Sequence, residues 1–80
     1  MSPIIKDPQD VRARHADRLA RRHYAVREAW RANRTPALAA VMADLARERE
    51  EHQERTGWVA DYDGQTTVYY YTDPAERNQP

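Results

Sequence analysis

Four arginines in the first third of the chain have the spacing of a phosphate-binding surface. Arg14, Arg18 and Arg21 follow one another at intervals of four and three residues, and Arg22 is adjacent to Arg21. Residues three and four apart are neighbours on a helix, so these guanidinium groups are predicted to lie close together. Guanidinium groups neutralise phosphates and bind them through paired hydrogen bonds. One hypothesis is therefore a nucleic-acid-binding accessory protein that uses Arg14, Arg18, Arg21 and Arg22.

The distribution of charge supports a second interpretation of these arginines. Residues 1–36 hold nine basic and four acidic side chains, a net charge of +5, whereas residues 37–80 hold four basic and nine acidic ones, a net charge of −5. An overall neutral chain is a weak electrostatic footprint for non-specific DNA binding. The arginines could instead pair with the glutamates of the second half, which are Glu48, Glu50, Glu51 and Glu54.

A cluster of aromatic residues is the second candidate site. It consists of Trp58, Tyr62, Tyr69, Tyr70 and Tyr71. Such side chains offer large, stiff and amphipathic contact surfaces, which binding hot spots favour, and they can also stack on single-stranded bases. A small domain also spends aromatic residues on its own core, and we expect about half of these to be used in that way. The others are predicted to bind a partner protein.

The three histidines do not have metal-ligand spacing. His15 and His23 are two helical turns apart, too far to bind one ion directly, and His52 lies much later in the chain. Zinc sites in helices usually pair histidines four residues apart, often with cysteine ligands elsewhere. We therefore expect ordinary surface or interfacial histidines and no metal.

Catalytic residue sets are also missing from the sequence. The chain has no cysteine and two glycines, and its one serine is Ser2. Nucleophilic catalysis needs a nucleophile beside a base, and phosphate-cradling loops need glycine. The expectation is a protein that is not an enzyme and has neither a cofactor nor a small-molecule substrate.

Eighty residues are enough for one small domain with a thin core. Without cysteine, disulfides cannot reinforce such a core, so a homo-oligomer or a partner protein is the expected support. No apolar run approaches the roughly 20 residues that span a bilayer, and residues 1–6 do not resemble a signal peptide. We therefore expect a cytoplasmic protein that does not enter membranes.

Two helices are predicted to position the arginines. The first covers 8–33, with Asp7 as its cap and Pro8 at its first position. Thr35 is predicted to cap a second helix over 36–55, which Gly57 terminates, so that the two helices form an αα-hairpin. The residues predicted to fill the core or a dimer seam are Leu19, Val26, Trp30, Leu38, Val41, Met42 and Leu45.

The aromatic cluster is predicted to lie on a β-hairpin over 58–71, followed by a flexible tail over 74–80. Asp63-Gly64 between two β-rich runs predicts a two-residue turn. This turn would pair Trp58 with Tyr69. Alternation would place Trp58, Tyr62, Tyr69 and Tyr71 on one face and Tyr70 on the other. The predicted fold class is α+β, a two-helix hairpin followed by a two-stranded β-hairpin.

Three functions follow from these patterns. The favoured hypothesis is a small regulatory protein, of a style common among phage and mobile-element products, that occupies a partner protein through the hairpin, by strand addition or by its exposed face. The first alternative is the nucleic-acid-binding accessory protein. The second alternative is a structural subunit whose thin core is covered by neighbouring copies.

Overall fold

A computed structural model of the protein describes residues 4–5 and 8–77. The elements are β1 (Ile4–Ile5), α1 (Val11–Ala32), α2 (Pro36–Thr56), β2 (Trp58–Tyr62), β3 (Thr67–Tyr71) and α3 (Pro74–Arg77). The predicted α+β arrangement of two helices followed by an antiparallel hairpin is confirmed. Two short elements, β1 and α3, were not predicted. The helices pack side by side, and α1 also packs against β2.

The first helix begins three residues later than predicted. Asp10, with extended backbone angles, is its N-cap, and the Asp10 carboxylate accepts a hydrogen bond from the backbone N–H of Arg12 at 2.9 Å. The same carboxylate binds the Arg12 guanidinium, which lowers the pKa of Asp10 to about 2. Asp7, the predicted cap, lies outside the described residues.

The second helix has the predicted ends to within one residue. Thr35 Oγ1 accepts a hydrogen bond from the backbone N–H of Leu38 at 3.2 Å, and Pro36 occupies the first helical position, where no N–H partner is needed. At the other end, Gly57 adopts a left-handed conformation with φ of 84°. Its N–H donates to Gln53 at 2.7 Å, which closes the helix.

The three strands form one antiparallel sheet in the order β1-β3-β2. The predicted hairpin register is wrong by two residues, because Trp58 pairs with Tyr71 rather than with Tyr69. The cause is Asp63, whose carboxylate accepts the backbone N–H groups of Gln65 and Thr66 at 2.9 Å each. These bonds build a four-residue loop in place of the predicted two-residue turn.

A shift of two residues leaves every side chain on its predicted face, since strand side chains alternate with a period of two. The inner face packs on α1. On the α1 side of this contact the residues are small: three alanines pack against Trp58 and Ala60 of the sheet. The buried cluster is Ala13, Ala16, Ala20, Trp58 and Ala60, with Ile5, Tyr62, Tyr69 and Tyr71 packed around it.

The predicted helical core is only partly formed. Leu19 and Leu45 are buried, but Val41 is 45% exposed and does not belong to the core of a single chain. The other predicted core residues are half-buried, namely Val26, Trp30, Leu38 and Met42. This end of the helical hairpin extends past the sheet, and no described residue forms a third layer over it.

Residues 74–77, the first four of the predicted flexible tail, adopt a regular structure, and residues 78–80 of that prediction lie outside the described residues. Pro74–Arg77 form one helical turn, α3, which lies beside α2. Asp73 caps this turn by accepting the backbone N–H of Ala75 at 3.0 Å. An Asp-Pro pair therefore starts a helix here as well as ending the strand.

The two glycines allow a controlled test of how tightly the chain packs at Gly57, between α2 and β2. A Cβ on Gly57 would lie 2.2 Å from the Thr72 carbonyl oxygen, whereas a Cβ on Gly64 would meet the end of the Tyr24 side chain, which can move. Both positions have positive φ, which costs a non-glycine residue about 1 to 2 kcal/mol. We expect Gly64→Ala to lose about this much stability in urea unfolding and Gly57→Ala to lose clearly more. Equal losses would show that the Thr72 contact is unimportant.

Candidate functional site

Three of the four predicted arginines form an exposed surface on α1, which we call the arginine face. Arg14, Arg18 and Arg22 are all exposed and follow one another every four residues. Four residues rise about 6 Å along a helix, so the three side chains are spaced along about 12 Å of one face. The alanines that contact the sheet lie on another side of α1, and Arg22 borders a cavity that Glu48 and Glu51 of α2 also line. The arginine face is thus the side of α1 that the fold leaves to solvent.

The fourth predicted arginine, Arg21, has a structural contact. Its Nε donates to Asp17 Oδ1 at 2.9 Å, and its Nη2 donates to Thr67 Oγ1 at 3.3 Å. Thr67 Oγ1 in turn donates to Asp17 Oδ1 at 2.7 Å, and the Arg21 guanidinium lies 4.5 Å from the centre of the Tyr62 ring. Arg21 therefore connects α1 to the hairpin and is only partly available to a ligand.

The arginines do not pair with the acidic half of the chain. The ion pairs within the described residues are Arg12–Asp10, Arg21–Asp17, Arg31–Glu28, Arg47–Asp44 and Arg49–Asp61. None of these pairs joins the arginine face to a glutamate of α2. Direct ion pairs between the α1 arginines and those glutamates are therefore not formed among the described residues, although Arg22 lines the same cavity as Glu48 and Glu51.

A basic groove lies beside the arginine face, where the start of α1 meets the end of α2. We call it the Arg-His groove, and its ionisable lining residues are Arg12, His15, Arg18, His52 and Arg55. Its volume is about 600 Å³. Arg18 belongs both to this groove and to the arginine face, so the two surfaces are continuous.

The two histidines of the groove contact each other. Their rings meet edge to face with centres 4.8 Å apart, and His52 is only 4% exposed. His52 Nε2 lies 2.7 Å from the carbonyl oxygen of Arg12 and donates its proton there, because a carbonyl only accepts. The pKa of His15 is lowered, chiefly because burial disfavours its charged form and also because His52, Arg18 and Arg55 repel a proton there.

Four of the five predicted partner-binding aromatics face α1. Trp58 is 7% exposed, and Tyr62, Tyr69 and Tyr71 are half-buried against the alanine cluster. Tyr70 lies on the opposite face of the sheet with Val59 and Val68, and each of these three is half-buried. A partner that binds the folded hairpin would therefore meet Tyr70 rather than Trp58.

The outer edge of β2 is already occupied at two points. Thr72 donates its backbone N–H to Gly57, so alternation along the ladder directs the backbone groups of Trp58 and Ala60 away from β3. The N–H of Trp58 donates to Thr56 Oγ1 at 3.2 Å, and the Ala60 carbonyl accepts from Arg49 Nη2 at 2.8 Å. A strand added at this edge would have to displace both contacts.

Arg49 connects three elements and was not singled out from the sequence. Its guanidinium, on α2, donates to His23 Nδ1 on α1 at 2.9 Å, and to Ala60 O and Asp61 Oδ1 on β2 at 2.8 and 3.3 Å. Arginine has no acceptor, so His23 Nδ1 must be unprotonated. The pKa of His23 is lowered, first by burial and then by the charges of Arg49 and Arg27.

Sequence reasoning also missed His52 and Arg55 as parts of a site. The groove residues come from α1 and α2, and which of them meet depends on how these two helices pack against each other. Within residues 4–5 and 8–77, no three histidine or acidic side chains come together as a metal site would require. None of the helices described for this chain combines the length and apolar character needed to cross a bilayer.

Comparisons of the chain with protein-family models, with curated proteins and with solved structures found no match. Any functional assignment therefore depends on the geometry of the chain itself.

The Arg49 junction should be a main determinant of stability. We expect Arg49→Met, which keeps the aliphatic stem, to lower the free energy of unfolding by about 2 to 3 kcal/mol, because hydrogen bonds to a charged group are lost. Arg47→Met is the matched control on the same helix, since Arg47 pairs with Asp44 at a fully exposed position. Its effect should stay within about 0.5 kcal/mol. Chemical unfolding measures both, and similar losses would contradict the role of the junction.

The lowered pKa of His23 predicts lower stability in acid. Below about pH 6.5, histidines of the unfolded chain bind protons that folded His23 does not, so the free energy of unfolding falls until the lowered folded-state pKa is reached. Urea midpoints from pH 7.5 downwards should show this loss. In His23→Gln, whose amide oxygen can still accept from Arg49, the loss should be smaller, and the remainder should report His15. An unchanged pH dependence in His23→Gln would contradict the prediction.

Proposed function

We propose that this chain is a non-catalytic nucleic-acid-binding protein that contacts the phosphate backbone through the arginine face. The observation that supports this most directly is that Arg14, Arg18 and Arg22 are exposed, regularly spaced and without a carboxylate partner among the described residues. A cytoplasmic location, where nucleic acid is accessible, is part of the same proposal.

The spacing of the arginine face suits a backbone ligand. The about 12 Å between Arg14 and Arg22 corresponds to three or four phosphates of one DNA strand, which rises 3.4 Å per phosphate. Long arginine side chains can adjust to that spacing, and each can bind phosphate oxygens through two donors. The site offers no planar pocket for a base, so the proposed contacts are with phosphate and carry no sequence preference.

The zero net charge of the chain does not oppose local binding. Packed helices lie 8 to 10 Å apart, which is about one Debye length at physiological salt. Glu48 and Glu51 of α2 line a cavity together with Arg22, so they weaken the positive field at that arginine, and salt partly screens them from the rest of the arginine face. A strand of nucleic acid would interact mainly with the nearest charges, which are the arginines of α1 and Arg55 of α2.

A protein partner is the second candidate function. It is favoured by Val68 and Tyr70, which are half-buried on the face of the sheet opposite to α1. Val59, on the same face, lines a cavity with Ala46, Glu50 and Gln53 of α2. Tyrosine beside aliphatic residues is typical of binding hot spots. Under this candidate the chain is a small regulatory protein or a structural subunit, and its partner protein contacts Tyr70. It ranks second because four of the five aromatics are used inside the chain.

Binding of a fluorescent DNA duplex at several salt concentrations tests the proposal. The affinity should fall steeply between about 50 and about 200 mM salt, as released counterions require. Arg14→Ala/Arg22→Ala should weaken binding and reduce the slope of log affinity against log salt by about 2, because each phosphate contact contributes about 0.9.

The matched control is Arg31→Ala/Arg47→Ala, which removes the same two positive charges at positions outside the arginine face, where each arginine pairs with an acid of its own helix. Its slope should equal that of the unchanged chain. Equal effects of the two double variants, or no binding, would reject the arginine face. If a salt-stable oligomer that Tyr70→Ser dissociates is found instead, the protein-partner candidate replaces the proposal.

A further inference from the structure

The Arg-His groove contains positively charged side chains that no ion pair neutralises. Its lining, completed by Val11 and Thr56, includes no acidic residue. Arg12 is neutralised by Asp10, with Nη2 and Oδ2 2.7 Å apart. Arg18 and Arg55, which approach from opposite helices, have no carboxylate partner among the described residues. Two guanidinium groups are therefore available to an anion.

Besides Asp10, two glutamates lie close to the groove and to one side of it. Glu48 and Glu51 line a neighbouring cavity, which shares His15 and Arg55 with the groove. They limit how far an anion could extend along the helices. They do not line the space between Arg18 and Arg55, where the groove is bounded by cationic, histidine and apolar side chains.

One buried polar atom at the groove has no hydrogen-bond partner in the described part of the chain. His52 uses Nε2 to bind the Arg12 carbonyl, while its Nδ1 is shielded from solvent and unpaired there. The His52 ring is held in place by this bond and by the edge of His15. His15 is exposed, and its Nδ1 lies 3.4 Å from Arg18 Nη2. His15 is thus the histidine able to contact a ligand, while His52 supports it.

We propose that the Arg-His groove binds a phosphate monoester, with Arg18 and Arg55 on the phosphate oxygens and His15 as a third donor. A monoester is favoured over a backbone diester because a terminal phosphate carries up to two negative charges and three accessible oxygens, which match two guanidinium groups and an imidazole. The volume of about 600 Å³ is that of a small-molecule site.

Binding couples to protonation of His15. In the empty groove, His52, Arg18, Arg55 and burial oppose a charge on His15, and Glu48 favours it. A phosphate between the two arginines reverses the balance of charge, so His15 takes up a proton as the ligand binds. The pKa of His15 should therefore rise on ligation.

Two sources could supply this chemistry, namely a free nucleotide and the terminal phosphate of a nucleic-acid strand. The second source rests on the proposed function, since the arginine face would then bind the phosphates that follow the terminal one. Arg18 belongs to both surfaces, so the separating variants are Arg55→Gln for the groove and Arg14→Ala/Arg22→Ala for the face.

The test is an NMR titration of the full chain with AMP, with adenosine as the ligand that lacks a phosphate. We expect AMP, and not adenosine, to shift the ring signals of His15 and His52 and to raise the pKa of His15. Arg55→Gln should weaken AMP binding at least tenfold, and Arg18→Gln should do the same. The matched control Arg47→Gln, two turns earlier on α2, should bind normally. Both groove arginines are exposed, so these variants should stay folded, but each removes a charge that lowers the pKa of His15 and should raise that pKa before any AMP is added.

The proposal is overturned if AMP leaves the two histidine signals unchanged, if adenosine shifts them equally, or if Arg55→Gln binds AMP as the unchanged chain does. Oligonucleotides with 5′-phosphate and 5′-hydroxyl ends distinguish the sources. A preference for the phosphorylated end that disappears in Arg55→Gln supports a strand terminus. AMP binding without that preference supports a free nucleotide. If the unchanged chain binds AMP but no duplex, the proposed function is rejected and the groove proposal stands.

Discussion

The architecture depends on one guanidinium group, that of Arg49, which is the polar contact shared by α1, α2 and β2. The chain needs this contact because its hydrophobic core is small. Ala13, Ala16 and Ala20 bring α1 close to the sheet, but alanines bury little apolar area, and no large side chain among the described residues is fully buried. A thin core leaves the relative position of the elements weakly fixed. Hydrogen bonds from Arg49 to a histidine, a carbonyl and a carboxylate supply that position.

The same thin core explains the shape of the molecule. The sheet has only short strands and covers the first half of α1, so the helical hairpin extends beyond it. The radius of gyration is 13.6 Å, compared with about 12 Å for a compact domain of this length. At the uncovered end, Trp30 and Met42 are half-buried, and Arg34 lies over the Trp30 ring at 4.5 Å. Arginine there shields an aromatic surface that no third layer covers.

Local signals predicted the parts of the fold that local chemistry determines. Thr35, Pro36 and Gly57 fixed α2 because each acts on backbone groups within a few residues. The faces of the hairpin were predicted because alternation does not depend on register. The register itself was not predicted, because the Asp63 side chain competes with the turn that Asp63-Gly64 favours. The two-residue strand β1 has no periodic pattern, and its pairing with β3 depends on contacts distant in sequence.

In the candidate site, too, the features set by local spacing could be predicted and those set by distant contacts could not. The arginine face could be predicted, because helical spacing places Arg14, Arg18 and Arg22 together whatever the helix packs against. The Arg-His groove could not, because Arg55 and His52 meet His15 only through the antiparallel contact of α1 and α2. Local spacing also could not predict that Arg21 is not part of the arginine face, because its contact with Thr67 joins residues distant in sequence.

The central position of α1 accounts for where binding can occur. One side of this helix carries alanines for the sheet, and a second carries Leu19 and His23 toward α2. Only the third side is free of structural constraint, and it carries the unpaired arginines. The groove opens where that side reaches α2, so Arg18 faces both the line of arginines and Arg55 across the groove. Charge separation along the sequence thereby becomes a continuous basic surface on a chain with no net charge.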